Sequence, residues 1–191
     1  MGKGKMNVYR FEDLRLRKFR FEDIPLKIQW INDPANNRFL HYDLPLEYGK
    51  TCRWFEGVKD RRDRFDAVIE HRGRPVGLIG LLSIDQKNGK AEEYIVLGAR
   101  DAKGKGVAAR AGLLNQLYGF RVLGLNKIYA YTEMENLPAM RLYRSRGFHV
   151  DGYLRDDLRM GGRYVDRQVL SLRGEEMKMP EGVFTEEENG Q

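Results

Sequence analysis

The chain has 191 residues, of which 41% are hydrophobic and 11% aromatic, as expected for one folded domain with a full core. No apolar run approaches the roughly 20 residues that a membrane-spanning helix needs, and the first residues do not resemble a signal peptide. The single cysteine, Cys52, excludes an internal disulfide and is typical of a reducing compartment, so we expect a cytoplasmic protein.

The charge is unevenly spread along the chain. The net charge is +6, but six glutamates and one lysine give residues 174–191 a charge of −5, which leaves +11 on the rest. Residues 174–191 have few apolar side chains to bury, so we expect a disordered acidic tail there, and a flexible start at residues 1–9. The folded domain is therefore predicted at residues 10–173.

The first half of the chain predicts one strand, two helices and a meander. Residues 14–17 alternate between apolar and basic and predict a strand. Acids and a proline in residues 21–25 predict the start of a helix that ends at Asp33-Pro34, and a second amphipathic helix spans residues 46–59. Strands at residues 65–70, 75–84 and 92–97, separated by turn signals, predict an antiparallel meander.

The second half alternates helices and strands after a basic glycine loop at residues 99–106. Helices are predicted at residues 107–122 and 136–146, and strands at residues 127–132, 148–154 and 164–172. The expected fold class is therefore mixed α/β, with a mostly antiparallel sheet of six or seven strands and helices on both faces. Trp30 and Trp54 are expected in the core.

The glycine loop has the composition of an anion-binding site. Gly104 and Gly106 alternate with Lys103 and Lys105 directly before a predicted helix. The first amides of a helix have no intrahelical partner, the helix dipole adds positive charge there, and glycine lets the backbone approach an anion closely. A turn without a ligand could carry the same residues. The loop is neither a Walker loop nor a dinucleotide fingerprint.

Two blocks of sequence resemble a known family. Residues 103–108, K-G-K-G-V-A, resemble the pyrophosphate signature (Gln/Arg)-x-x-Gly-x-(Gly/Ala) of the GNAT acyltransferase superfamily, with lysine in the first place. Residues 135–148, E-N-L-P-A-M-R-L-Y-R-S-R-G-F, resemble its second block, E-N-x-x-A-x-x-L-Y-x-x-x-G-F. The chain is identified as a member of this superfamily, similar to the branch of ribosomal-protein-alanine, spermidine and amino-sugar acetyltransferases. The resemblance implies the GNAT fold and an acyltransferase that moves acetyl from acetyl-CoA to a primary amine.

The resemblance also implies roles for individual residues. Tyr143 would protonate the departing sulfur, and Glu92 would accept the proton of the amine through water, with Glu93, His41 or water alone as alternatives. Asn136 would bind the pantetheine arm, although it could serve only as a helix cap. The implied cofactor-binding residues are Val96, Leu97, Lys103, Gly104, Lys105, Gly106, Val107, Ala108 and Asn136. His41, His71 and His149 lack metal-ligand spacing, so no metal is expected.

The sequence leaves several classes of acceptor possible. Acids between residues 30 and 60 alternate with basic residues, whereas a polyamine site needs clustered carboxylates. This balance and the basic body favour a small amine, namely an amino sugar on an acidic carrier, over a polyamine. One alternative is acetylation of protein N-termini, such as those of ribosomal proteins; another is a non-catalytic module that binds acetyl-CoA or nucleic acid. Because basic and acidic residues are mixed, a nucleic-acid partner is not expected, and because no apolar run is long enough to span a bilayer, a membrane partner is not expected either. The resemblance allows a homodimer.

Overall fold

The computed structural model describes residues 9–185, and all structural statements below concern this part of the chain. One sheet contains nine strands: β1 (Tyr9–Phe11), β2 (Leu14–Lys18), β3 (Phe65–His71), β4 (Arg74–Asp85), β5 (Lys90–Leu97), β6 (Lys127–Glu133), β7 (His149–Met160), β8 (Arg163–Arg173) and β9 (Val183–Thr185). The α-helices are α1 (Ile24–Asn32), α2 (Pro34–Asn37), α3 (Tyr48–Val58), α4 (Val107–Leu117) and α5 (Leu137–Ser145).

The strand order across the sheet is β7-β8-β6-β5-β4-β3-β2-β1-β9. Every neighbouring pair is antiparallel except β5 and β6, which are parallel and joined through helix α4. Their ladder is short, since only Lys90 to Glu92 pair with Lys127 to Tyr129. Beyond this ladder the two strands part, which creates an opening in the middle of the sheet.

The sheet separates two hydrophobic cores. Val68 and Ile69, neighbours on β3, belong to opposite cores because side chains alternate across a strand. The larger core contains the buried face of α4, including Leu114. The smaller core contains Trp30 from α1, which is 6% exposed, so its predicted core position is confirmed. Helices therefore cover both faces, as expected.

The helix that was predicted at residues 107–122 changes type. It is an α-helix to Leu117 and continues as a π-helical turn, Tyr118–Val122. Gly119 lies in this turn, and a Cβ there would come within 2.8 Å of the Ile128 side chain. The absence of a side chain thus lets the turn pack closely on the sheet.

The strand count and the tail differ from the sequence-based expectation. The seven predicted strands are present, but β1 and β9 pair at one edge and raise the count to nine. The expectation of disorder from residue 174 is wrong for residues 174–185, where a 3-10 turn, Gly174–Glu176, leads to β9. The reason is that Met177 and Val183 pack on the larger core while β9 pairs with β1. Residues 1–8 and 186–191, which complete the predicted flexible termini, lie outside the described residues. No helix within residues 9–185 has the length and apolarity needed to cross a bilayer.

Candidate active site

A cleft of about 990 Å³ opens where β5 and β6 part. From residue 93 to residue 97, β5 pairs only with β4, so its other edge has no strand partner among the described residues. Val96 and Leu97 line the cleft on this edge. Main-chain amide and carbonyl groups along an unpaired strand edge can bind an extended ligand as an added strand would.

The glycine loop and the start of α4 form one end of the cleft. Gly104 and Gly106 both have positive φ, 74° and 71°, a conformation that glycine adopts at no steric cost. Gly106 is the N-cap of α4 and brings no capping side chain, so the first amides of the helix remain available to an anion. Val107 and Ala108 also line the cleft. The loop has the geometry of a diphosphate site.

The two lysines of the loop have different surroundings. The Lys103 ammonium donates to Asn36 Oδ1 at 2.5 Å and to the Ala35 carbonyl at 3.3 Å, so it is directed towards α2. Lys105 is exposed and does not line the cleft. The loop glycines thus lie at the cleft as predicted, whereas Lys105 does not.

The 33–42 segment is bound to both sides of the opening. On the loop side, Asp33 pairs with Arg100 at 3.1 Å and Asn36 donates to the Gly98 carbonyl at 3.1 Å. On the β6 side, His41 Nε2 lies 2.9 Å from Glu133 Oε1. These contacts hold the segment across the cleft, where it restricts access.

Glu92 lies on the cleft face of β5. Its carboxyl is half-buried and has no hydrogen bond or ion pair within residues 9–185. Burial raises the pKa of Glu92, while the charges of Arg167 and His41 oppose the rise. A raised pKa makes a carboxylate a better proton acceptor.

Glu93, one of the alternative bases, points to the opposite face of the strand. Its side chain is fully buried, and its carboxylate pairs with Arg146 at 2.6 Å and accepts from Asn115 Nδ2 at 2.9 Å. His41 is engaged by Glu133. Glu92 is therefore the carboxylate that the structure leaves free at the cleft.

Tyr143 and Asn136 enter the cleft from α5. Tyr143 is 4% exposed, and its hydroxyl donates to the main-chain carbonyl of Glu93 at 3.4 Å. Burial is the main cause that raises the pKa of Tyr143, so the phenol holds its proton at neutral pH. Asn136 caps α5, since its Oδ1 accepts from the Ala139 amide at 3.2 Å, and it also lines the cleft. Its two predicted roles can therefore coexist.

A group of residues that no sequence pattern brings together forms another part of the cleft wall. This cationic pocket consists of Lys27, Tyr42, Trp54, Arg64 and Asp66. Trp54 was expected in the core but is only half-buried and lines the cleft. The five residues come from α1, α3, β3 and the loops between them, and no sequence motif relates them. Among the described residues, no group of three or more His, Cys, Asp or Glu could hold a metal ion.

Comparison with known proteins agrees with this geometry. The acetyltransferase (GNAT) domain family matches residues 13–149. The spermidine N(1)-acetyltransferase of Escherichia coli K12 is 38% identical over 153 residues, which cover 79% of this chain and 81% of the relative. An uncharacterized N-acetyltransferase, p20 of Bacillus licheniformis, is 32% identical over 166 residues, covering 84% and 93%.

The fold also matches a solved structure. The spermidine N-acetyltransferase of Vibrio cholerae, crystallised in complex with CoA and spermine, superposes with a TM-score of 0.79 at 24% identity, covering 86% of this chain and 97% of that one. The nine-stranded sheet with its parted parallel strands is thus the GNAT fold. The chain belongs to the GNAT acetyltransferase family and is an N-acetyltransferase that uses acetyl-CoA as its acetyl donor.

Proposed function

We propose that this enzyme acetylates the primary amine of a small molecule that carries negative charge, and that an amino sugar on an acidic carrier is the class that fits best. The observation that carries the proposal is the charge of the cleft. Its cationic lining residues outnumber its acidic ones: the cations are Lys27, Arg38, Arg64, Lys103 and Arg167, and the acids are Asp66, Glu92 and Glu93.

The acids of the cleft are also mostly engaged. Asp66 accepts two hydrogen bonds from Arg64, at 2.6 and 2.8 Å, and one from the Tyr94 hydroxyl at 2.7 Å. Glu93 is paired with Arg146 on the far face of β5. Of the acids that line the cleft, Glu92 alone has no ion pair or hydrogen bond within residues 9–185. Of the lining cations, Arg38, Arg64 and Arg167 pair with Glu135, Asp66 and Asp157, which leaves Lys27 and Lys103 without a carboxylate partner in the same part of the chain. A polyamine presents several ammonium groups and would need several free carboxylates, whereas one amine on an anionic molecule needs one.

The 33–42 segment, which lies across the cleft, favours a small acceptor. The 33–42 segment is held at Gly98 and Arg100 on one side and at Glu133 on the other. An extended peptide would have to pass this segment, which makes acetylation of protein N-termini the weaker alternative. The free carboxylate of Glu92 argues for turnover rather than for a role in binding alone.

The proposed mechanism uses three features of the cleft. Acetyl-CoA supplies a thioester, whose oxygen can accept hydrogen bonds from amides on the open edge of β5. Glu92 takes a proton from the amine through water, and the amine nitrogen then bonds to the acetyl carbon. As the carbon–sulfur bond breaks, Tyr143 gives its phenolic proton to the leaving thiolate. The acetylated nitrogen loses its second proton, which restores the phenol of Tyr143, and Glu92 releases its proton to solvent, so the ammonium and acetyl-CoA give the amide, the CoA thiol and one proton.

A polyamine is the second candidate, because the Escherichia coli relative, 38% identical over most of its length, is a spermidine N(1)-acetyltransferase. The deciding experiment measures release of free CoA thiol from acetyl-CoA. The acceptors are a panel of nucleotide-linked amino sugars, hexosamine phosphates, spermidine, spermine and short peptides. We expect turnover of an anionic amino sugar at a higher kcat/KM than that of any polyamine. Preference for spermidine would overturn the acceptor class, and no turnover of any amine would overturn the proposed function.

A further inference from the structure

Lys27 is a buried cation in the wall of the cleft. The residue is 5% exposed, lies on α1 and lines the cleft. Its ammonium lies 4.3 Å from the centroid of the Trp54 ring and 5.0 Å from that of Tyr42, whose hydroxyl accepts a hydrogen bond from it at 3.4 Å. Burying an ammonium is costly unless a counter-charge compensates it.

No carboxylate compensates Lys27 directly. Within residues 9–185 no acid lies within ion-pairing distance of its ammonium, and Asp66, which attracts it from farther away, is bound to Arg64 and Tyr94. Burial lowers the pKa of Lys27 to about 8, so the side chain is mostly cationic at neutral pH. The cationic pocket contains one lysine, one arginine and one aspartate, so its formal net charge is +1.

We propose that Lys27 binds an anionic group, a phosphate or a carboxylate, on the acceptor molecule and so selects anionic acceptors. This inference rests on the proposed function and names the residue that sets its specificity. An incoming anion would supply the counter-charge that the chain itself does not place beside Lys27. Arg64 would strengthen the positive potential, and Tyr42 offers a hydroxyl that can donate to the same anion.

The position of the pocket suits one compact molecule. Tyr94, which bonds Asp66 of the pocket, lies two residues after Glu92 on the same face of β5. Two residues along a strand span roughly 7 Å. Glu92 and Lys27 line the same cleft, so an amine at Glu92 and an anionic group at Lys27 can belong to one acceptor molecule.

Lys27 also excludes polycations from the same place. The faces of Trp54 and Tyr42 form the kind of aromatic site that binds ammonium groups, but the chain's own ammonium already occupies it. A polyamine would have to displace Lys27 or bind beside it against charge repulsion. Removal of the Lys27 charge should therefore open this site to an external ammonium group.

The test compares three acceptors that differ in one group. Glucosamine has no charged group besides its amine, glucosamine 6-phosphate carries a phosphate, and muramic acid carries a carboxylate. The proteins are wild type, Lys27→Met and the control Lys50→Met, which changes an exposed lysine of α3 outside the cleft. We expect wild type and the control to prefer at least one anionic acceptor over glucosamine by about tenfold or more in kcat/KM. Lys27→Met should lose that preference and gain activity with spermidine. Preference for only one of the two anionic acceptors identifies phosphate or carboxylate as the group.

Two outcomes oppose the inference while leaving the proposed function intact: wild type shows no preference for an anionic acceptor, or Lys27→Met keeps the preference in full. If none of the three sugars is turned over, the same comparison is made by thermal shift with CoA present. A shift by glucosamine 6-phosphate or muramic acid that is equal in wild type and Lys27→Met, or no shift in wild type, would then overturn the role of Lys27. Melting temperature without ligand shows whether Lys27→Met is folded.

Discussion

Arg146 and Glu93 form an ion pair in the interior of the protein, with 2.6 Å between Nη2 and Oε1 and side chains that are 1% and 0% exposed. The guanidinium lies 4.8 Å from the Tyr143 ring centroid and 5.3 Å from that of Phe148. The pair thus joins the end of α5 to β5, the strand that carries Glu92. The proposed catalytic residues lie on these two elements, Tyr143 on α5 and Glu92 on β5.

Breaking this pair should be costly. In Arg146→Met the Glu93 carboxylate remains buried with no opposite charge, so we expect a loss of about 3–5 kcal/mol in the free energy of unfolding. The double variant Glu93→Met, Arg146→Met leaves no uncompensated charge and should recover most of that loss. Urea unfolding of both variants measures the difference. A loss below about 1 kcal/mol in Arg146→Met would contradict the importance of the pair.

The ion pair also depends on a glycine of α4. A Cβ at Gly112 would overlap the guanidinium of Arg146, which is held in place by Glu93. We expect Gly112→Ala to lower stability by about 1–3 kcal/mol through overpacking. Gly57→Ala is the matched control, because Gly57 is exposed inside helix α3 with open space at its Cβ. The control should be stabilised by up to about 1 kcal/mol. Equal changes in stability for the two variants would show that the Arg146 side chain can move away from a new Cβ at no cost.

Removal of the proposed acid and base should affect catalysis and leave CoA binding unchanged. We expect Glu92→Gln and Tyr143→Phe each to lower kcat by about 10²-fold or more, since each deletes one proton transfer. Calorimetric titration with CoA should give wild-type affinity. Glu56→Gln and Tyr153→Phe, which change exposed residues away from the cleft, serve as controls. Wild-type turnover in either cleft variant would remove that residue from the mechanism.

The role of Gly106 in CoA binding can be tested separately from the backbone strain that a side chain would cause there. Gly106 and Gly124 both have positive φ, 71° and 67°, and open space at the Cβ position, but only Gly106 lies at the cleft. Alanine at either position should cost about 1–2 kcal/mol of stability through strain. Only Gly106→Ala should weaken CoA binding, by roughly tenfold or about 1.4 kcal/mol. Titration of the folded proteins with CoA measures this, and equal affinities would argue against a diphosphate at the loop.

Lys27 should give stability an unusual pH dependence. Its pKa is about 8 in the folded protein and 10.5 in the unfolded chain, so the unfolded chain binds more protons between these values. Stability should therefore rise as pH increases above about 8, because the folded protein no longer buries a charged lysine. The full rise in the free energy of unfolding, between pH 8 and 10.5, would be about 3 kcal/mol from Lys27 alone.

The rise should end near pH 10. The pKa of Tyr42 is raised to about 12 in the folded protein, so above pH 10 the unfolded chain loses the Tyr42 proton first and stability falls. Arg64 and Asp66 also face Lys27. The measurement is urea unfolding of wild type and Lys27→Met at pH 7 to 10. The variant should be more stable at pH 7 and lack the rise. Parallel curves for the two proteins would show that Lys27 is not buried as a cation.

Elements with strong periodicity were predicted from the sequence, and short ones were not. The alternation at residues 14–17 and the turn signals between the strands of the meander determine strands and turns locally, and the structure confirms them. β1 and β9 have three residues each, too few for a period, and they form because they pair with each other at the edge of the sheet. The order in the tail likewise depends on a core that is assembled from distant residues.

The same division applies to the site. The glycine loop and the block that contains Tyr143 were recognisable because each is one continuous segment whose local conformation determines its geometry. The choice between Glu92 and Glu93 depends on which face of β5 each side chain occupies. The ion pair between Glu93 and Arg146 forms only when α5 packs on β5. The cationic pocket around Lys27 could not be predicted at all, since its residues lie between positions 27 and 66 without a shared spacing.

The sequence by itself thus determined the family, the cosubstrate and the elements that present them, because periodicity, glycine conformation and helix starts are local properties of the chain. Which carboxylate is free, which lysine lies buried without a partner and what charge the acceptor meets were decided by the tertiary structure. Burial and ion pairing depend on which distant side chains come within a few ångströms of each other, and only the folded chain brings them together.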